Sequence, residues 1–216
     1  MFRNLQDLLA NLIYSVPAVL IALSVHEFAH AYVSYKLGDM TQKANGRLTL
    51  NPLKHLDPIG TLCLILFHFG WAKPVEVDPY NYKDKKEGMM WVALAGPLMN
   101  LIVGFICVFI SHVIIRFHLI HGSISLYLLL VLNMSAIMNI GLGVFNLIPV
   151  PPLDGSKLLL GIVNEETYFK ILRYEQPLSF ILLMLLLLGV LDGPLGYAQG
   201  AFMNCFSTIS RILLGM

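Results

Sequence analysis

The sequence predicts an all-α polytopic membrane protein of about four to six transmembrane helices, with a membrane-associated re-entrant or β-hairpin region between the first two long ones. Two observations carry that reading. The 216 residues are 57% hydrophobic and only 12% charged, where a soluble domain is about 25% charged. Apolar runs of roughly 20 residues also recur, the length a helix needs to cross the hydrocarbon of a bilayer. A net charge of +1 offers no surface for nucleic acid. The length suits a single domain over residues 1–216, and neither an internal repeat nor a low-complexity linker interrupts it.

Met1–Asn11 is short and mixed in character, and reads as an interfacial arm. The first spanning helix follows over residues 12–36, with Pro17 marking a kink or the true start of regular helix. It is expected to be retained rather than removed as a leader, because it carries the ionisable residues discussed below. Residues 38–87 are rich in turn formers and lysines. They contain expected strands at Arg47–Leu50 and Lys73–Val77, and an apolar piece, Ile59–Phe69, too short to span and therefore read as re-entrant. Long apolar helices are expected at 89–115 and 125–148, followed by a proline-rich loop at 149–155 that must end the second of them. Residues 156–176 fit an interfacial helix. The run Leu178–Leu191 is expected to span, with a weaker candidate at Leu195–Leu214.

Charge placement orients these elements. Lys36, Lys43, Arg47, Lys54, Lys73, Lys83, Lys85 and Lys86 precede the second long helix, and Lys157, Lys170 and Arg173 follow the third, whereas the turn between those helices holds only Arg116. By the positive-inside rule, residues 36–87 and 156–176 face the cytoplasm of a cell-membrane protein. Asp154 then emerges on the cytoplasmic side, level with the end of the first helix, only if Ile59–Phe69 does not cross the membrane.

The chemistry centres on His26-Glu27-Phe28-Ala29-His30, set in an otherwise apolar segment. Ionisable groups at membrane depth are costly unless paired or functional. Helical positions i and i+4 share a face, so both imidazoles can reach one metal ion, with Glu27 beside them to take a proton from water. A catalytic zinc site ordinarily has a third protein ligand. The best candidate by position is Asp154, next to Gly155 in the proline-broken segment, although Asp-Gly after prolines is also an ordinary turn. Cys63, Cys107 and Cys205 read as small buried hydrophobes. His55 and His68 read as structural, and His112, His118 and His121 as interfacial. Asn133 and Asn139 read as helix–helix hydrogen bonding.

HEFAH, the AGPLMN of Ala95–Asn100 and the NLIPVPPLDG of Asn146–Gly155 together resemble the site-2 protease family of intramembrane zinc metalloproteases. GRLTLNPLKHLDPIGT and GWAKPVEVDP resemble the family's short prokaryotic members, and the likeness extends over about residues 16–160. The resemblance implies one zinc ion held by His26, His30 and Asp154, with Glu27 as catalytic base. It also implies that Asn146 orients the substrate carbonyl or stabilises the oxyanion. The expected activity is hydrolysis of a transmembrane protein substrate near the cytoplasmic face, within the lipid bilayer. The two expected strands would hold the unwound substrate by edge pairing, which Val75→Pro should disrupt. A peptidase of small or signal peptides, and a non-hydrolytic metal transporter or sensor, are the competing readings. The residues set no oligomeric state.

Overall fold

The computed structural model describes residues 5–57, 60 and 73–216. Its frame is three long helices: α1 (Leu5–Lys36), α3 (Lys85–Phe117) and α4 (Gly122–Asn146). All three are long and apolar enough to cross a membrane. Each packs against the other two. A short turn, α2 (Thr41–Ala44), follows α1. Pro17 lies inside α1 and does not start it: among the described residues the helix runs from Leu5, and the candidate span within it is Leu12–Lys36.

The helix ends have local causes. The Asp84 carboxylate accepts the Glu87 N–H and caps the start of α3. The α4 helix stops at Asn146, three residues short of Pro149, because proline cannot continue the N–H ladder. The chain then reverses, through a cis peptide bond between Pro151 and Pro152, into a 3-10 segment at Asp154–Gly161 that packs against α3.

The C-terminal third departs from expectation. In place of one interfacial helix over 156–176 there are that 3-10 segment and α5 (Glu165–Leu172). The apolar run near Leu178 forms α6 (Glu175–Leu187), only 13 residues long. At 1.5 Å per residue it reaches about 20 Å, short of the roughly 30 Å of hydrocarbon. It meets α7 (Asp192–Leu213) at an 80° bend. The bent pair counts as at most one span, so the described residues hold three candidate spans, or four with that pair. The α7 helix packs on α3 and α4, where Met203 and Phe206 cover a core of Cys107, Val108 and Ala136. Cys107 is buried as expected, Cys205 is exposed, and Cys63 lies outside the described residues.

No strand forms among the described residues. The expected strand at Lys73–Val77 does not form, and side chains take several of its backbone groups. Arg47 donates to the carbonyls of Lys73 and Pro74, and Gln42 donates to that of Glu76. Of residues 47–50, only 48 and 49 have an assigned shape, a bend. The re-entrant reading of Ile59–Phe69 falls outside the described residues. Its flanks, however, are joined: the Lys73 N–H donates to the His55 carbonyl at 2.8 Å, so residues 55 and 73 lie on the same side of the bundle.

Candidate active site

His26, Glu27 and His30 lie in the C-terminal half of α1, where α3 and α4 cover it, and all three are buried. His26 Nε2 and His30 Nε2 are 3.1 Å apart, and Asp154 Oδ2 lies 3.1 Å from the first and 3.0 Å from the second. These residues stand 124 to 128 positions apart along the chain, and the return of α4 through its proline-rich end brings them together.

The hydrogen bonds on the far side of each ring decide what the three atoms can be. His30 Nδ1 donates to the Val92 carbonyl at 2.7 Å, and a carbonyl can only accept. His26 Nδ1 meets Asn100 Oδ1 at 2.6 Å. The orientation of that amide is settled by its other end, since Asn100 Nδ2 donates to the Ala22 carbonyl at 3.0 Å and to Asn139 Oδ1 at 2.9 Å. Asn139 is fixed in turn, its Nδ2 donating to the Ser135 carbonyl at 2.8 Å. Every link therefore ends on a backbone acceptor. With each Nδ1 donating, a neutral ring presents a bare lone pair at Nε2.

Two lone pairs and a carboxylate oxygen thus face one point, with no donor among them. Such a triangle is stable around a cation. Its edges of 3.0 to 3.1 Å compare with about 3.3 Å for two ligands set tetrahedrally at roughly 2.0 Å from zinc. The two-imidazole, one-carboxylate donor set suits that ion and leaves one position open. Among the described residues this is the one group of three or more His, Cys, Asp or Glu side chains close enough to hold a metal.

As a metal ligand Asp154 takes part as the carboxylate anion. Its second oxygen, Oδ1, takes an ion pair from Lys157 at 3.3 Å, which turns Oδ2 toward the histidines. Two glycines make the approach possible. A β-carbon on Gly96 would lie 2.7 Å from His26 Cε1 and would strike His30 Nε2. One on Gly155 would lie 2.5 Å from the Ile148 carbonyl oxygen. Glycine after Asp154 is thus required by backbone contact with the end of α4, not by turn geometry.

Glu27 is outside the triangle. Its Oε2 accepts the Val75 N–H at 2.9 Å, while Oε1 has no partner among the described residues. Asn146 donates Nδ2 to the Leu142 carbonyl at 3.0 Å on its own helix. His55 is fully buried and bonds the Thr49 carbonyl at 2.7 Å, a structural role as expected. His68 lies outside the described residues. Sequence reasoning passed over Asn100 as a support for His26, took Asn139 for helix–helix bonding only, and counted Lys157 merely as a topological charge. The i+3 spacing of Lys157 from Asp154 was the available clue to the last of these.

The site and its setting in apolar helices define a membrane zinc metalloprotease. The family model described as peptidase family M50 matches residues 14–189. The chain belongs to that family, the site-2 proteases, and zinc is its expected cofactor. It is 36% identical over 206 residues to the Bacillus subtilis protein named "Putative zinc metalloprotease YwhC", covering 93% of this chain and 94% of that one. It is 30% identical over 176 residues to "Putative zinc metalloprotease Rip2" of Mycolicibacterium smegmatis, covering 78% of this chain and 64% of that protein. With "Zinc metalloprotease MJ0392" of Methanocaldococcus jannaschii it shares 30% identity over 187 residues, 84% of this chain and 45% of that one. No solved structure matches.

Proposed function

We propose that this chain is a multi-pass cell-membrane endopeptidase that hydrolyses a peptide bond of a membrane-anchored protein near the cytoplasmic face, the chemistry of regulated intramembrane proteolysis. The observation that carries the proposal is the meeting of His26 Nε2, His30 Nε2 and Asp154 Oδ2 within 3.1 Å inside the packing of three apolar helices, with the buried Glu27 carboxylate adjoining. The cytoplasmic orientation is supported by the lysines and arginines that flank the bundle on the side to which α1 and α4 descend.

In this reading His26, His30 and Asp154 hold zinc, which supplies an electrophile for the scissile carbonyl and makes water more acidic. Asn100 and Val92 keep the two imidazoles facing inward, and Lys157 does the same for Asp154. Glu27 takes the proton of the attacking water at Oε1. As the water oxygen bonds to the carbonyl carbon and the C–N bond breaks, Glu27 returns a proton to the leaving nitrogen. Asn146 retains a second N–H beyond the one given to Leu142, and this hydrogen meets the substrate carbonyl as it becomes an oxyanion.

Metal analysis of the full chain in detergent, run beside cleavage of a transmembrane reporter, tests the proposal. Wild type should hold about one zinc per chain, and His26→Ala and Asp154→Ala should lose it. Glu27→Gln should keep zinc and lose cleavage by roughly 100-fold or more. Undiminished cleavage by Glu27→Gln would overturn the assignment of the base. Metal transport unaffected by that substitution would favour a transporter.

A further inference from the structure

Arg47 is 8% exposed, and no carboxylate lies within ion-pair distance of it among the described residues. A buried cation without an acid is costly unless hydrogen bonds offset its desolvation. Here both Nη atoms bond backbone carbonyls, whereas the Nε–H meets no acceptor among the described residues. Nη2 donates to the Lys73 carbonyl at 2.7 Å and the Lys54 carbonyl at 3.0 Å, and Nη1 donates to the Pro74 carbonyl at 3.1 Å. The fork of a guanidinium spans two chain segments at once, which a single ammonium does less well.

The segment so clamped is closely tethered. Its first N–H, at Lys73, goes to the His55 carbonyl. Gln42, fully buried, holds the Glu76 carbonyl, and Asp39 accepts the Asp78 N–H at 2.9 Å. In the middle of these tethers one backbone N–H points at the catalytic machinery: Val75 N–H donates to Glu27 Oε2 at 2.9 Å. It comes directly after the two carbonyls gripped by Arg47.

We propose that Arg47 is a positioning residue for catalysis: by gripping the carbonyls of Lys73 and Pro74 it holds the Val75 N–H on Glu27 Oε2 and so aims Oε1 at the attacking water. This rests on the reading of Glu27 as the base. A carboxylate rotates about its terminal torsion with little resistance, so one oxygen must be pinned if the other is to face a fixed direction. The hydrogen bond also means that the Val75 N–H is already committed and cannot pair with a substrate strand. Loss of Arg47 should therefore lower kcat and leave KM alone.

The test uses the full chain in detergent, with three variants and two readouts. Arg47→Met should lower kcat by roughly 10- to 100-fold, the scale of a misplaced catalytic group, with KM and zinc content unchanged. Arg47→Lys should recover part of the loss. Val75→Pro, which removes the N–H itself, should match Arg47→Met. Independently of activity, hydrogen exchange at the Val75 amide should speed up in both Glu27→Ala and Arg47→Met. A rise in KM at constant kcat would overturn the proposal in favour of substrate docking on this segment, and a rise in kcat would show that the segment obstructs the site. Val75 exchange unmoved by Glu27→Ala would remove its foundation. If Arg47→Met fails to fold, the Glu27→Ala exchange and Val75→Pro kinetics decide the matter. If wild type cleaves nothing, the protease reading fails, while the exchange arm still measures the contact.

Discussion

Two asparagines on α4, six residues apart, have opposite surroundings. Asn139 is fully buried, its oxygen accepting from Asn100 and its nitrogen donating to Ser135. Asn133 is exposed and has no hydrogen-bond partner among the described residues. It lines a cavity of about 370 Å³ with Ser111, His112, Asn204 and Ser207 between α3, α4 and α7. Both residues carry the same amide into the same apolar stretch. A polar side chain at membrane depth is therefore not in itself a sign of chemistry. What marks the site is closure, in which each donor meets an acceptor and the chain of bonds ends on a metal-facing nitrogen.

The sharpest way to break that closure is at Gly96. Alanine there should collide with both imidazoles, and zinc affinity measured by chelator competition should fall by at least about 100-fold. Asn139→Leu keeps the branched shape of the side chain but leaves one Asn100 N–H without its acceptor. It should weaken zinc by about 10- to 100-fold, as loss of outer hydrogen bonds to metal ligands commonly does. Unchanged affinity would mean that Asn100 holds His26 unaided.

The next effect is on stability. Asp39 is fully buried yet ionised. Burial pushes its carboxyl up, but hydrogen bonds from the backbone of Asp78 and from Thr41 and Ser34 outweigh it and hold the carboxyl below its ordinary value of 3.8. A carboxyl lowered in the folded state stabilises the fold above the unfolded value of 3.8 and stops doing so as pH falls through the lower folded one. Asp39→Asn should cost about 1.5–3 kcal/mol near neutral pH and flatten the acid limb of thermal stability against pH. An acid limb identical to wild type would place the acid-sensitive group elsewhere. Last, Asn133→Leu should leave zinc affinity unchanged and shift stability by no more than about 0.5 kcal/mol. A larger loss of stability or zinc would contradict its separation from the site.

The long helices were legible because an apolar run has few alternatives in a bilayer. The expected 12–36, 89–115 and 125–148 became Leu5–Lys36, Lys85–Phe117 and Gly122–Asn146. His26 and His30 declared themselves by spacing, whereas Asp154 needed the resemblance because Asp-Gly after prolines also makes ordinary turns. The strands failed for a reason that no local pattern carries. Several backbone groups of residues 73–78 are taken by side chains from positions 39, 42 and 47. The direction of the hydrogen bonds from Asn139 to Asn100 to His26 depends on contacts 39 and 74 residues apart. The leucine run near Leu178 misled because composition records how greasy a segment is, and not where its helix bends.

Asn139 supports His26 from the middle of α4, and the carbonyls of Leu147 and Ile148, just past its C-terminus, press directly on Gly155, the neighbour of Asp154. A single rod is thus coupled to two corners of the triangle. Sliding or tilting that rod against α1 would disturb both corners together, so release of metal becomes a ruler for the spacing of the bundle.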